Sequence, residues 1–153
     1  MGFRPPYDNS AAMQNVRPLE PVEGAPSVMF VGADPADVRL ARNVFEEDAG
    51  ADLRVVPDTR HALGLLRSLQ PGLIVTDLDW NAGASEIVAT VRADARLKGV
   101  PIVVLTGEPD NAGDAYDSGA NCVMLRPESL DGFFDAMRAI QRFWLDMALL
   151  PQR

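Results

Sequence analysis

The stretch Leu73-Ile74-Val75-Thr76-Asp77-Leu78-Asp79-Trp80 decides the fold of this chain. It begins with an apolar and β-branched run, and the turn-forming sequences Pro71-Gly72 and Asn81-Ala82-Gly83 border it. A short apolar run with such borders predicts a fully buried strand of a parallel sheet. Asp77 then lies at the carboxyl end of the strand, where open α/β sheets place their functional residues.

Strand and helix patterns alternate on both sides of this stretch. Asp34 followed by Pro35 predicts the start of the first helix. The alternation, at spacings of roughly 20–25 residues, predicts right-handed βαβ crossovers. We therefore expect an α/β fold with a five-stranded parallel sheet, a doubly wound three-layer α/β/α sandwich. The predicted strands are 27–31, 53–56, 73–76, 100–105 and 121–125, and the last helix runs from Ser129 or Asp131 to about Leu149.

Length and composition limit the classes of function. The 153 residues predict one domain over 27–149 with an extended C-terminal helix, a proline-containing flexible arm over 1–26, and a tail over 150–153. The net charge of -8 argues against a basic nucleic-acid-binding face. One cysteine and one histidine exclude a Cys/His zinc site. Without a long apolar run or a signal sequence, we expect a cytoplasmic protein that binds neither nucleic acid nor membrane.

Chemically capable side chains follow several predicted strands. Asp77 and Asp79 follow the third, Thr106 ends the fourth, and Arg126 follows the fifth. Because the carboxyl ends of parallel strands meet at one edge, a carboxylate, a hydroxyl and a guanidinium are expected to form an anion-handling site. There the aspartate can attack a phosphoryl group to give an acyl phosphate, whose oxygens the hydroxyl and the cation would hold.

Four segments together resemble the receiver domain of two-component response regulators. They are FVGADPADVRL, PGLIVTDLDW, VPIVVLTGEPD and SGANCVMLRPESL, and the resemblance covers about four fifths of the chain. The C-terminal end, with Phe143-Trp144-Leu145 and then Leu150-Pro151, also resembles that of the single-domain receivers that accompany phytochrome-type kinases. The resemblance implies a flavodoxin-like receiver fold and places Asp77 at the phospho-acceptor position. It places Thr106 at the hydroxyl that turns towards the phosphoryl group, and Arg126 where the family has lysine.

The chain departs from the family at the chemical positions. Gly32 and Ala33 stand where the family has the acidic pair that carries Mg²⁺, so only a weak metal site at Asp77 and Asp79 is left. Arginine is a planar fork, and we expect Arg126 to pair directly with Asp77. Val123 replaces an aromatic residue whose rotation reports activation.

These departures predict an atypical response regulator, a pseudo-receiver that signals by protein–protein contact and is not an enzyme. The alternative is a functional phospho-accepting regulator with altered Mg²⁺ dependence. A second alternative is a haloacid-dehalogenase-like phosphatase, because Asp77-Leu78-Asp79 matches its DxD motif. That family places DxD on its first strand and adds a later acidic motif, and this chain does neither.

The last helix has an inward stripe followed by an apolar end. The stripe is Phe133 or Phe134, Met137, Ile140 and Trp144. The residues of its end, 143–150, are too apolar all round for a solvent-exposed tail, which indicates an interface. We expect a symmetric homodimer, with a histidine kinase or another signalling protein as partner; the alternative is a tail that folds back over its own domain. The residues predicted for the dimer interface are Phe143, Trp144 and Met147.

Overall fold

The computed structural model describes residues 24–151. Most of the predicted N-terminal arm, residues 1–23, and the last two residues of the tail lie outside them. The five strands form one parallel sheet in the order β2-β1-β3-β4-β5. The predicted sheet is confirmed. Its strands are Ser27–Val31 (β1), Asp52–Val56 (β2), Leu73–Thr76 (β3), Ile102–Thr106 (β4) and Cys122–Leu125 (β5).

Within residues 24–151, four α-helices connect the strands and a fifth follows β5. Side chains cap three of them: Asp34 and Asp58 accept backbone hydrogen bonds at the first two helices, and Ser129 does so at the last. The predicted starts at Asp34-Pro35 and at Ser129 are confirmed. The helices are Pro35–Ala41 (α1), Thr59–Leu69 (α2), Ala84–Ala93 (α3), Ala112–Ser118 (α4) and Leu130–Ile140 (α5). Short 3₁₀ turns at Trp80–Ala82 and Pro109–Asn111 precede α3 and α4.

The sheet separates two buried clusters, because successive residues of a strand point to opposite faces. Met29 and Val31 of β1 belong to the cluster beneath α2 and α3, whereas Val28 and Phe30 belong to the cluster beneath α1 and α5. β3 and β4 are buried along their whole length. Helices therefore cover both faces of the sheet, and the three-layer sandwich is confirmed.

Two helices end in π-helical turns. α1 and α5 each continue as wider π-helical turns, over Arg42–Asp48 and Gln141–Met147. The last helix ends at Met147 and not near Leu149, because Ala148 adopts an extended backbone and its N–H closes onto the carbonyl of Phe143 at 2.7 Å. In the part of the chain that the structure describes, no helix has the length and hydropathy to cross a membrane.

Candidate functional site

The ends of β3, β4 and β5 bring the predicted site residues to one edge of the sheet. The backbone N–H of Asp77 donates to the carbonyl of Val31 at 2.8 Å, which extends the β1–β3 ladder by one residue. The backbone N–H of Arg126 donates to the carbonyl of Thr106 at 2.7 Å. The ladder bonds thus fix where the Asp77 and Arg126 side chains begin.

Arg126 and Asp77 form the direct pair that the sequence predicts. Nε of Arg126 donates to Oδ1 of Asp77 at 2.7 Å, and Nη2 donates to Oδ2 at 3.5 Å. The Asp77 side chain is only 2% exposed beneath this fork. Because a two-point guanidinium–carboxylate contact fixes both oxygens, it limits their use as a nucleophile towards an incoming phosphoryl group.

Asp37 is the site residue that sequence reasoning missed. It lies on α1 and is buried, and its Oδ2 accepts a hydrogen bond from Nη2 of Arg126. The ring of buried Phe133 lies 5.5 Å from the guanidinium carbon. A signal was present, since Asp37 precedes Ala41 by four residues and Val44 by seven, which places it on the buried face of the helix.

Two carboxylates share one guanidinium, and this sets the charge of the site. The pKa of Asp77 is raised from 3.8 to about 7, chiefly by burial and next by the hydrogen bond with Asp37, while Arg126 acts in the opposite direction. The hydrogen bond to Asp77 raises the pKa of Arg126, so the guanidinium stays charged. Near neutral pH the site therefore retains a proton on Asp77 for part of the time, which weakens Asp77 as a nucleophile.

Thr106 and Asp79 do not join this cluster. The hydroxyl of Thr106 donates to the carbonyl of Glu108 at 3.3 Å and accepts from the Glu108 N–H and from Nδ2 of Asn111, both at 3.1 Å. Asp79 is exposed, and its carbonyl accepts from Ala82 at 3.0 Å. Within residues 24–151, neither side chain contacts Asp77 by a hydrogen bond or an ion pair.

The residues at this edge do not fit a divalent cation. A Cβ on Gly32 would lie 3.2 Å from Cβ of Asp77, so position 32 faces the site but supplies no ligand. Ala33 is exposed and supplies none either. Among the described residues, no group of three acidic, histidine or cysteine side chains is placed to hold a metal. The buried carboxylates of Asp37 and Asp77 are already bound to the Arg126 guanidinium, and its positive charge opposes a second cation.

The predicted dimer residues lie on the π-helical extension of α5. Phe143 and Met147 are 50% and 72% exposed, whereas Trp144 is partly buried and packs against the core beneath α5. The inward positions of Phe133, Met137, Ile140 and Trp144 are confirmed. The end of the chain turns back, since Cδ1 of Leu150 lies 3.6 Å from where a Gly72 Cβ would be. The tail covers part of its own domain and leaves Phe143 and Met147 open.

Comparison with known proteins identifies relatives over most of the chain, although no protein-family model matches it. The chain is 27% identical over 135 residues to the response regulator Rcp1 of Synechocystis sp., which covers 81% of this chain and 92% of Rcp1. The similarity thus extends over nearly the whole of a known regulator.

Two solved structures are especially similar. The phosphorylated cyanobacterial phytochrome response regulator RcpA superposes with a TM-score of 0.73 at 29% identity, over 84% of this chain and 100% of RcpA. The Mn²⁺-bound form of Rcp1 superposes with a TM-score of 0.72 at 27% identity, over 83% of this chain and 100% of Rcp1.

Proposed function

The chain belongs to the response regulator receiver domains of two-component signalling, and from this premise we propose that it is an atypical, non-enzymatic member of the single-domain kind. In this proposal it signals by protein–protein contact, and Asp77 no longer accepts a phosphoryl group in the ordinary Mg²⁺-dependent way. The observation that carries the proposal is the Arg126 fork over the buried Asp77 carboxylate.

Three physical features support this reading. Phosphoryl transfer needs a cation that neutralises charge on the transferred group, and Gly32 and Ala33 supply no carboxylate for one. The nucleophile has a raised pKa and is already hydrogen-bonded to Arg126. Thr106, the hydroxyl expected to hold the phosphoryl group, makes its hydrogen bonds within its own loop.

The second candidate is a phospho-accepting regulator with altered Mg²⁺ dependence. Two observations favour it: Asp77 and Thr106 are retained, and RcpA, which is similar over its whole length, was solved in a phosphorylated form. In this case Arg126 would have to leave Asp77 before transfer. No observation among the described residues favours the phosphatase alternative.

We further propose the partner and its surface. The exposed apolar side chains of Phe143 and Met147 support a homodimer through the extension of α5, and the partly buried Trp144 packs beneath them against the core. A histidine kinase or another cytoplasmic signalling protein is the proposed heterologous partner, since Rcp1 and RcpA are response regulators.

Trp80 provides a direct test, because it lies three residues after Asp77 and is buried. In a Trp144→Phe background, Trp80 is the remaining tryptophan and reports on ion binding at the site. We expect no change in its fluorescence on titration with millimolar Mg²⁺, and no difference between this protein and its Asp77→Asn form. A saturable change that disappears in Asp77→Asn would instead support the second candidate.

A further inference from the structure

We propose that Asp37 closes the Asp77 site to divalent cations by anchoring the Arg126 guanidinium as a built-in cation between two carboxylates. The inference rests on the proposed function and adds a positioning residue to it. That residue, Asp37, lies on α1, whereas Asp77 and Arg126 follow strands. It assigns to α1 the role of holding Arg126 in place.

The guanidinium is held from three sides. Nε and Nη2 face Asp77, Nη2 also donates to Asp37, and the ring of Phe133 lies 5.5 Å from the central carbon. A guanidinium can bridge in this way because its donors are fixed in one plane, whereas a lysine ammonium is a single point. The aromatic contact adds attraction to the cation.

Both bridged carboxylates are buried, so each needs a partner of opposite charge. Asp37 is 4% exposed, and its interaction with Arg126 is the ion pair that the structure gives it. A buried charge without a partner is strongly disfavoured. Release of Arg126 would leave two unpaired acids, so the bridge resists opening more than the Arg126–Asp77 pair alone would.

The bridge also joins elements that are distant in sequence. Asp37 and Arg126 are separated by 89 positions, and Arg126 and Asp77 by 49. α1 packs against α5, whose extension carries the exposed Phe143 and Met147. The bridge thus ties α1 to the strand ends that carry Asp77 and Arg126.

The test asks whether loss of a carboxylate increases affinity for a cation. Ala33 is exposed and can be replaced by aspartate, which returns one acid to the site; Gly32 is left unchanged because a Cβ there would crowd Asp77. Free Mn²⁺ is then measured by its electron paramagnetic resonance signal for Ala33→Asp and for Ala33→Asp/Asp37→Asn. We expect the second variant to bind Mn²⁺ about tenfold more tightly, or about 1.4 kcal/mol.

Asp34→Asn in the Ala33→Asp background is the matched control. Asp34 is also an acid at the start of α1, but it accepts backbone hydrogen bonds and does not contact Arg126. Loss of its charge should lower Mn²⁺ affinity or leave it unchanged. If Asp37→Asn behaves like Asp34→Asn, the anchoring role of Asp37 is wrong, while the proposed function is untouched. Tight Mn²⁺ binding by the unaltered protein would instead contradict the proposed function itself.

A second measurement covers the case in which Asp37→Asn loosens the fold. The Nε–H proton of Arg126, hydrogen-bonded to Asp77 at 2.7 Å, should exchange slowly with water and give a resolved nuclear magnetic resonance signal. Asp37→Asn should accelerate that exchange about tenfold or more while amides of β3 stay protected. Unchanged exchange of Nε–H, or equal acceleration at β3, would overturn the proposal.

Discussion

We expect the variant Asp77→Asn to become more stable relative to wild type as the pH rises, measured as the difference between their free energies of unfolding. Asparagine has the shape of the protonated carboxyl group but cannot ionise. The native protein holds the Asp77 pKa at about 7, against 3.8 as the ordinary value, chiefly because the carboxylate is buried. The native state therefore retains a proton that the unfolded chain has already lost.

The sign and size follow from that difference in pKa. The stabilisation from protonated Asp77 is fully present below pH 4 and is lost as the pH rises to about 7, after which the loss is constant. Each pKa unit corresponds to about 1.4 kcal/mol in the free energy of unfolding. The shift of the Asp77 pKa from 3.8 to about 7 therefore corresponds to at most about 4 kcal/mol. Because solvent near the rim of the site screens the charge, we expect the unfolding free energy of Asp77→Asn relative to wild type to rise by about 2–3 kcal/mol.

Urea unfolding followed by circular dichroism at several pH values between 4 and 8 measures this change. The quantity of interest is the free energy of unfolding of Asp77→Asn minus that of wild type. It should increase across the range and then level off above pH 7. Asp117→Asn, at an exposed position of α4, is the control for the loss of one negative charge. A flat or falling difference for Asp77→Asn would refute the raised pKa of Asp77.

Two further predictions concern α5 and its extension. The double variant Phe143→Glu/Met147→Glu places charges on the exposed apolar surface and should elute as a monomer in size-exclusion chromatography with light scattering. Ala93→Glu, at an exposed position of α3 on the other face of the sheet, is the control and should remain a dimer. An unchanged dimer in the double variant would show that this surface is not the interface. Phe133→Ala removes a fully buried ring that also contacts Arg126, and should lower the free energy of urea unfolding by about 3–5 kcal/mol. Phe143→Ala, at a half-exposed ring, should cost under about 1 kcal/mol, and equal losses for the two would contradict the assigned burial.

The parallel sheet could be predicted from sequence because each strand is a short apolar run between turn residues. β1 has the predicted bounds, and β4 begins two residues later than predicted because Val100 and Pro101 lie before the ladder. The π-helical ends of α1 and α5 could not be predicted, because apolar spacing does not distinguish them from ordinary helix over a few residues.

The sequence predicts those contacts of the site that follow from the positions of the strand ends alone. Asp77 follows β3 and Arg126 follows β5, at the same edge of the sheet with β4 between them, and the long arginine side chain can reach across to the carboxylate. Asp37 was missed because an acidic residue in a helix is usually exposed to solvent. Only its spacing from the buried Ala41 and Val44, four and seven residues later, places it on the buried face of the helix. Thr106 was expected near Asp77, but the orientation of a hydroxyl depends on its own loop, here Glu108 and Asn111, and strand order does not fix that.

Incubation with acetyl phosphate and Mg²⁺, followed by intact-protein mass spectrometry, tests the central claim most directly. RcpA, whose solved structure is of the phosphorylated protein, serves as the positive control. If Arg126 closes the Asp77 carboxylate as the contacts indicate, the protein should gain no phosphoryl group under conditions that load the control. A Mg²⁺-dependent gain of one phosphoryl group that is absent from Asp77→Asn would contradict the account.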